Sequence, residues 1–126
     1  MRPLLQAELP GFSLYDRGKV RDVFAVGEDL LSVATDRIFA FDRVHPGGIT
    51  GKGRALTACT LWTFGLARDL IGNYVVSSRV EDFPPALAAA SGLLAGRSLL
   101  VRRVDPIRVE CVVRGFLYGQ AWKLYR

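Results

Sequence analysis

The chain has 126 residues, half of them hydrophobic, with a formal net charge of +5. That is one domain's worth of chain with ample apolar content for a core. No apolar run approaches the roughly 18 residues of a membrane span, and residues 1–8 lack a signal-peptide core, so a membrane protein is excluded as the first reading.

The charge is uneven. Residues 1–96 carry ten Lys/Arg and ten Asp/Glu, whereas residues 97–126 carry seven Lys/Arg against Asp105 and Glu110. A basic terminal segment suits nucleic acid, anionic metabolites or an acidic partner surface, and a solvated basic face is the plain alternative. Cys59 and Cys111 form no close pair, and with only one histidine they argue against a zinc site. Two buried thiols in a reducing cytosol are expected.

In chain order, Leu9-Pro10-Gly11 is a turn, residues 12–16 begin a strand, and Arg17-Gly18-Lys19 is the next turn. Residues 20–26 alternate: Val20, Asp22, Phe24 and Val26 face one way, Arg21, Val23 and Ala25 the other. Gly27-Glu28-Asp29 is a short turn, and residues 30–34 are a short uncharged apolar run that reads as a buried strand. So short a connection predicts an antiparallel hairpin. A Gly-Lys turn between strands can also form a flap over nucleotide phosphates, although most such turns are only turns.

Residues 34–57 are the stretch around which the rest is organised. Asp36 and Arg37 follow the strand, Phe39 and Phe41 are placed to face the same way, and His45-Pro46-Gly47-Gly48 is expected to break regular structure. Gly51-Lys52-Gly53-Arg54 then opens the longest helix. Glycines allow close backbone approach, and free N–H groups at a helix start attract anions. This is not a P-loop: only three residues separate Gly47 from Gly51, and Gly53 follows Lys52 where Ser or Thr is required. On the Gly-Lys-Gly triplet alone, a solvated turn ahead of a helix is the better reading.

In the helix, Leu56, Cys59, Trp62, Leu66 and Leu70 step by three or four and predict one apolar face, stopped at Gly72-Asn73. Residues 74–78 read as a strand, 86–91 as a short alanine-rich helix ending at Gly92, and 98–104 and 107–114 as strands broken at Asp105-Pro106. Residues 121–126 begin a helix. Hairpins with interspersed helices give α+β rather than a doubly wound sheet.

The last thirty residues carry the most specific pattern. In Asp105-Pro106-Ile107-Arg108-Val109-Glu110-Cys111-Val112-Val113-Arg114-Gly115-Phe116-Leu117-Tyr118-Gly119-Gln120-Ala121-Trp122, Glu110 and Arg114 lie four apart on a predicted strand and project to one face. A surface ion pair of little consequence is the bland reading. A phosphate ester held beside the glycine-rich bend is the sharper one.

This segment resembles the signature of the SAICAR synthetases, enzymes of purine biosynthesis. Three further stretches match in order. Gly18-Lys19-Val20-Arg21-Asp22-Val23 resembles the family's N-terminal flap, Ala34-Thr35-Asp36-Arg37-Ile38 with Ala40-Phe41-Asp42 its acidic loop, and Gly51-Lys52-Gly53-Arg54 its helix entry. The resemblance implies an ATP-grasp-like, kinase-like α+β fold. It divides the chain into an antiparallel-sheet flap subdomain, residues 1–80, and the beginning of a second subdomain, residues 81–126.

It also implies a cytoplasmic, ATP- and Mg2+-dependent ligase. Such an enzyme joins L-aspartate to the carboxylate of carboxyaminoimidazole ribonucleotide. By resemblance Gly18, Lys19 and Arg21 meet the ATP phosphates, and Asp36 and Arg37 are catalytic. Arg102 and Asp105 flank an adenine contact, and Lys52, Glu110, Arg114 and Gln120 bind substrate. No metal ligand is assigned to this chain, and a homo-oligomer is compatible with the resemblance. Phe39 stands where the family has serine, and Gly119-Gln120 where it has Gly-Ser. The family's acidic Asp-x-Lys-x-Glu-Phe-Gly stretch has no counterpart here, so the chain reads as the front half of such an enzyme. The rival reading is a non-catalytic RNA-binding module, with Phe116, Tyr118, Trp122 and Tyr125 stacking on bases.

Overall fold

A computed structural model describes residues 2–109 and 111–126. Its elements are strands β1 (Leu14–Arg17), β2 (Arg21–Val26), β3 (Asp29–Ala34), β4 (Arg37–Ala40) and β5 (Arg43–Gly48), helix α1 (Lys52–Ala67), strand β6 (Val75–Ser77), helix α2 (Ser91–Leu94), strand β7 (Ser98–Arg102) and helix α3 (Gln120–Tyr125). Short 3-10 helices cover Val80–Asp82 and Pro85–Ala90. The class is α+β, as expected.

Five strands form one antiparallel sheet in the order β1-β2-β3-β7-β6. The β2–β3 hairpin expected from the alternation is present, with Phe24 opposite Leu31 and Asp22 opposite Val33. Leu31 in turn faces Leu100 on β7. These residues share one face, because partners across a ladder point the same way. That face is covered by Ala7 and Leu9 from the N-terminal segment and by Phe83, Leu87 and Leu94. β7 lies between β3 and β6, so the expected division at residue 80 falls inside this packed sheet.

β4 and β5 pair as a separate two-stranded ribbon. His45-Pro46-Gly47-Gly48 lies within β5, and the ladder is irregular there: Phe39 pairs with Val44 and Arg37 with Gly48, so the stretch between them bulges out of register. An edge strand tolerates a proline, since the missing N–H need not feed a second neighbour. The ribbon turns through Phe41 and Asp42, with φ of 52° and 57°. Positive φ at both central positions suits the right-handed twist of a two-residue hairpin. It also separates the two aromatics expected to face together: Phe39 is half-buried on β4, whereas Phe41 is 90% exposed.

Helix α1 forms where predicted, but a different face packs. Gly53 and Thr57 are its buried residues, while Cys59, Trp62, Leu66 and Leu70 are exposed, Trp62 by 68%. The reason is steric. A Cβ on Gly53 would collide with the Ala34 carbonyl and lie 3.0 Å from the Thr35 oxygen. The helix start thus lies directly on the end of β3, and small residues turn inward. Phe64 continues that side and meets Tyr74 edge-on at 5.9 Å. Cys111 is exposed as well, so neither thiol is buried. The strand expected over 107–114 is not found among its described residues, which are exposed and show no ladder partner.

Candidate functional site

At the end of β3 the chain carries two buried ionised residues side by side. Asp36 is 1% exposed and Arg37 is 7% exposed. Unpaired buried charges are costly, so their partners decide what they do.

Asp36 accepts hydrogen bonds from three separate parts of the chain. Its Oδ2 takes the Leu4 N–H at 2.8 Å, and its Oδ1 takes the Gly53 N–H at 2.9 Å and the Arg97 guanidinium at 3.2 Å. Burial alone would raise this carboxyl. The N–H bonds from Gly53 and Leu4 and the charge of Arg97 outweigh it and hold the carboxyl below its ordinary value. The helix start expected to attract a phosphate is therefore already occupied at Gly53 by a carboxylate of the chain itself.

Arg37 works on the opposite side. Its Nε donates to the Lys19 carbonyl at 3.2 Å, and its Nη1 to the Leu5 carbonyl at 2.7 Å. Its Nη2 reaches the Gly18 carbonyl at 2.8 Å, the Arg21 carbonyl at 3.2 Å and Asp22 Oδ1 at 2.9 Å. Asp22 is fully buried and also takes the Ala7 N–H at 2.8 Å and Arg17 Nε at 3.2 Å. Asp36 and Arg37, expected at the reacting centre, thus tie the N-terminal segment, the β1–β2 turn and the helix start together.

What Arg37 holds is the turn between β1 and β2. With the carbonyls of Gly18, Lys19 and Arg21 engaged beneath, the Lys19 side chain is left exposed above. A shallow, open depression is lined there by Asp16, Gly18, Lys19, Val20, Arg21 and Val23. Arg21 and Val23 belong to the face of β2 opposite the core. The Lys19 ammonium lies 4.2 Å from the centre of the Phe39 ring. Arg102 closes β7, its N–H bonded to the Tyr74 carbonyl at 2.9 Å, and Asp105 is exposed beyond it. Between them the Arg103 guanidinium lies 5.1 Å over the Tyr15 ring, so this stretch neighbours β1.

The remaining expected residues are not gathered at that turn. Lys52 is the half-buried first residue of α1. Arg114 is exposed, and its Nη1 lies 3.7 Å from where a Cβ on Gly119 would stand. Gln120 is the exposed first residue of α3. Glu110 lies outside the described residues. Among the described residues no three His, Cys, Asp or Glu side chains come together to hold a metal ion. Sequence reasoning missed Arg97, Asp22 and the N-terminal segment, all of which meet their partners only through the fold.

The sequence pattern of the family described as SAICAR synthetase matches residues 14–126. The chain belongs to the SAICAR synthetase family. A phosphoribosylaminoimidazole-succinocarboxamide synthase from Desulfosudis oleivorans is 49% identical over 119 residues, 94% of this chain and 41% of the relative. Its counterpart from Thermodesulfovibrio yellowstonii is 46% identical over 123 residues, 98% of this chain and 42% of the relative. The chain therefore spans about two-fifths of the length of these relatives. Among solved structures, a SAICAR synthase superposes with a TM-score of 0.86 at 35% identity, covering 97% of this chain and 44% of that one. A SAICAR synthase from Saccharomyces cerevisiae in complex with SAICAR superposes with a TM-score of 0.85 at 35% identity and the same coverage.

Proposed function

We propose that this chain supplies the phosphate flap and the first substrate-binding elements of an ATP-dependent ligase of purine biosynthesis. The reaction joins L-aspartate to carboxyaminoimidazole ribonucleotide and gives SAICAR, ADP and phosphate in the cytosol. In the proposed course, the substrate carboxylate takes the γ-phosphoryl group of ATP and ADP leaves. The aspartate amine then attacks the acyl carbon, phosphate departs, and the nitrogen loses a proton. Positioned cations do most of the work in such a transfer, because the phosphoryl group carries dense negative charge.

The observation that carries this reading is the Arg37-anchored turn. It leaves Lys19 exposed at the rim of an open depression, on a backbone whose carbonyls at Gly18, Lys19 and Arg21 are bonded by one guanidinium. Lys19, with Gly18 and Arg21, is assigned to the ATP phosphates, and the stretch from Arg102 to Asp105, beside Tyr15, to the adenine side. Asp36 and Arg37 act as positioning residues that hold the flap and the helix entry in register. Lys52, Glu110, Arg114 and Gln120 are assigned to the ribonucleotide. The flap subdomain extends through β7, and the second subdomain begins after Arg102.

The test is a titration of the chain with ATP and with adenosine. Lys19→Ala should weaken ATP by tenfold or more and leave adenosine unchanged. Equal weakening of both ligands, or of neither, removes the flap assignment.

A further inference from the structure

Arg37 bonds the Gly18, Lys19 and Arg21 carbonyls of the β1–β2 turn, while the Lys19 side chain extends beyond them. That side chain has a defined resting place. Its ammonium lies 4.2 Å from the Phe39 ring centre, within the range over which a cation is held by an aromatic face. Phe39 is half-buried on β4, opposite Val44, so the ring is held by the ribbon rather than free in solvent. β4 starts at Arg37, whose guanidinium also grips the Lys19 carbonyl at 3.2 Å. Backbone and ammonium of one lysine are thus held by two residues of one short strand.

We propose that Phe39 is a positioning residue for Lys19: its ring parks the ammonium while the phosphate site is empty, and an incoming polyphosphate must draw it off. The proposal rests on the assignment of Lys19 to ATP. A residue without an aromatic ring at position 39 would offer no such face and no parking place. The parked state competes with the anion, so the ring lowers affinity for phosphate-bearing ligands without touching them. Removing the ring but not its bulk, with Phe39→Leu, should tighten ATP about two- to fivefold and leave adenosine unchanged. Phe39→Tyr keeps the aromatic face and should behave like the parent.

The deciding measurement is independent of turnover. A ring above the ammonium shifts the Lys19 ε-methylene protons upfield in the NMR spectrum. The shift should be present in the parent chain and in Phe39→Tyr and absent in Phe39→Leu, with Arg37-dependent amide signals unchanged throughout. Its absence in the parent, or its persistence in Phe39→Leu, overturns the proposal. Saturating ATP should abolish it. A shift that depends on Phe39 but survives saturating ATP, with the nucleotide shown to be bound, would leave the pairing and overturn the assignment of Lys19 to the phosphates.

Discussion

Arg37 Nη2 stands 2.9 Å from Asp22 Oδ1, and both side chains are buried. The pair does not stand alone. The same guanidinium satisfies four carbonyls, and the same carboxylate takes an N–H from Ala7. A buried ion pair contributes to a fold when its remaining donors and acceptors are also met, and here they join β1, β2, β4 and the N-terminal segment.

Arg37→Met should therefore destabilise the chain by about 3–5 kcal/mol, since it leaves carbonyls without donors and weakens the pairing of Asp22. Arg37→Lys should recover little, because one ammonium cannot reproduce a planar fork. Urea unfolding measures both. A loss below 1 kcal/mol for Arg37→Met would show that water takes over the vacated carbonyls.

Two glycines in one helix should respond with opposite signs. A Cβ at Gly53 meets the Ala34 backbone, which cannot turn aside, so Gly53→Ala should cost at least about 1–3 kcal/mol. Gly65 has nothing within 4 Å of a Cβ, so Gly65→Ala should stabilise by about 0.5–1 kcal/mol. Thermal unfolding of the two variants side by side checks the sign of each.

The contrast shows what the sequence could reveal. Residues 20–34 were legible because alternation and a short turn are local signals, and the structure pairs them in the expected hairpin. Helix α1 was legible as a helix, but not its inward face. Apolar steps at Leu56, Cys59 and Trp62 pointed one way, while close backbone approach at Gly53 turned the helix another. β5 was hidden by Pro46 and two glycines, which mark the irregular part of its ladder while its ends still pair with β4. Asp36 and Arg37 stood out as residues, but their partners did not. The partners of Asp36 include Arg97 and Leu4, 61 and 32 positions away, and no spacing rule spans such gaps.

The depressed Asp36 carboxyl gives stability a pH dependence of definite sign. Its folded value lies below the ordinary one, so the unfolded chain takes up the proton more readily. The contribution is complete above the ordinary carboxyl value of about 4 and is lost as pH falls through the lower folded value. Asp36→Asn should be less stable than the parent at neutral pH, with the gap closing below about pH 4. Chemical denaturation across that range tests it, and a gap independent of pH would assign the loss to shape rather than charge.

Arg114 offers the sharpest test of the substrate side. Its guanidinium lies beside Gly119, whose φ is 68° and ψ −135°, a conformation that a side chain would strain. A Cβ there would also stand 3.7 Å from Arg114 Nη1. If Arg114 holds the ribonucleotide phosphate, Arg114→Ala in the enzyme that carries this chain removes a charge-assisted contact of about 1.5–3 kcal/mol. The KM for the ribonucleotide should rise about tenfold or more, while that for ATP stays nearly constant. Gly119→Ala should act in the same direction without removing any charge, because it disturbs the backbone against which the guanidinium rests. Steady-state kinetics with each substrate varied in turn separates the cases. A rise in the ATP KM alone would move Arg114 to the nucleotide side, and unchanged constants for both substrates would leave it a solvated surface charge.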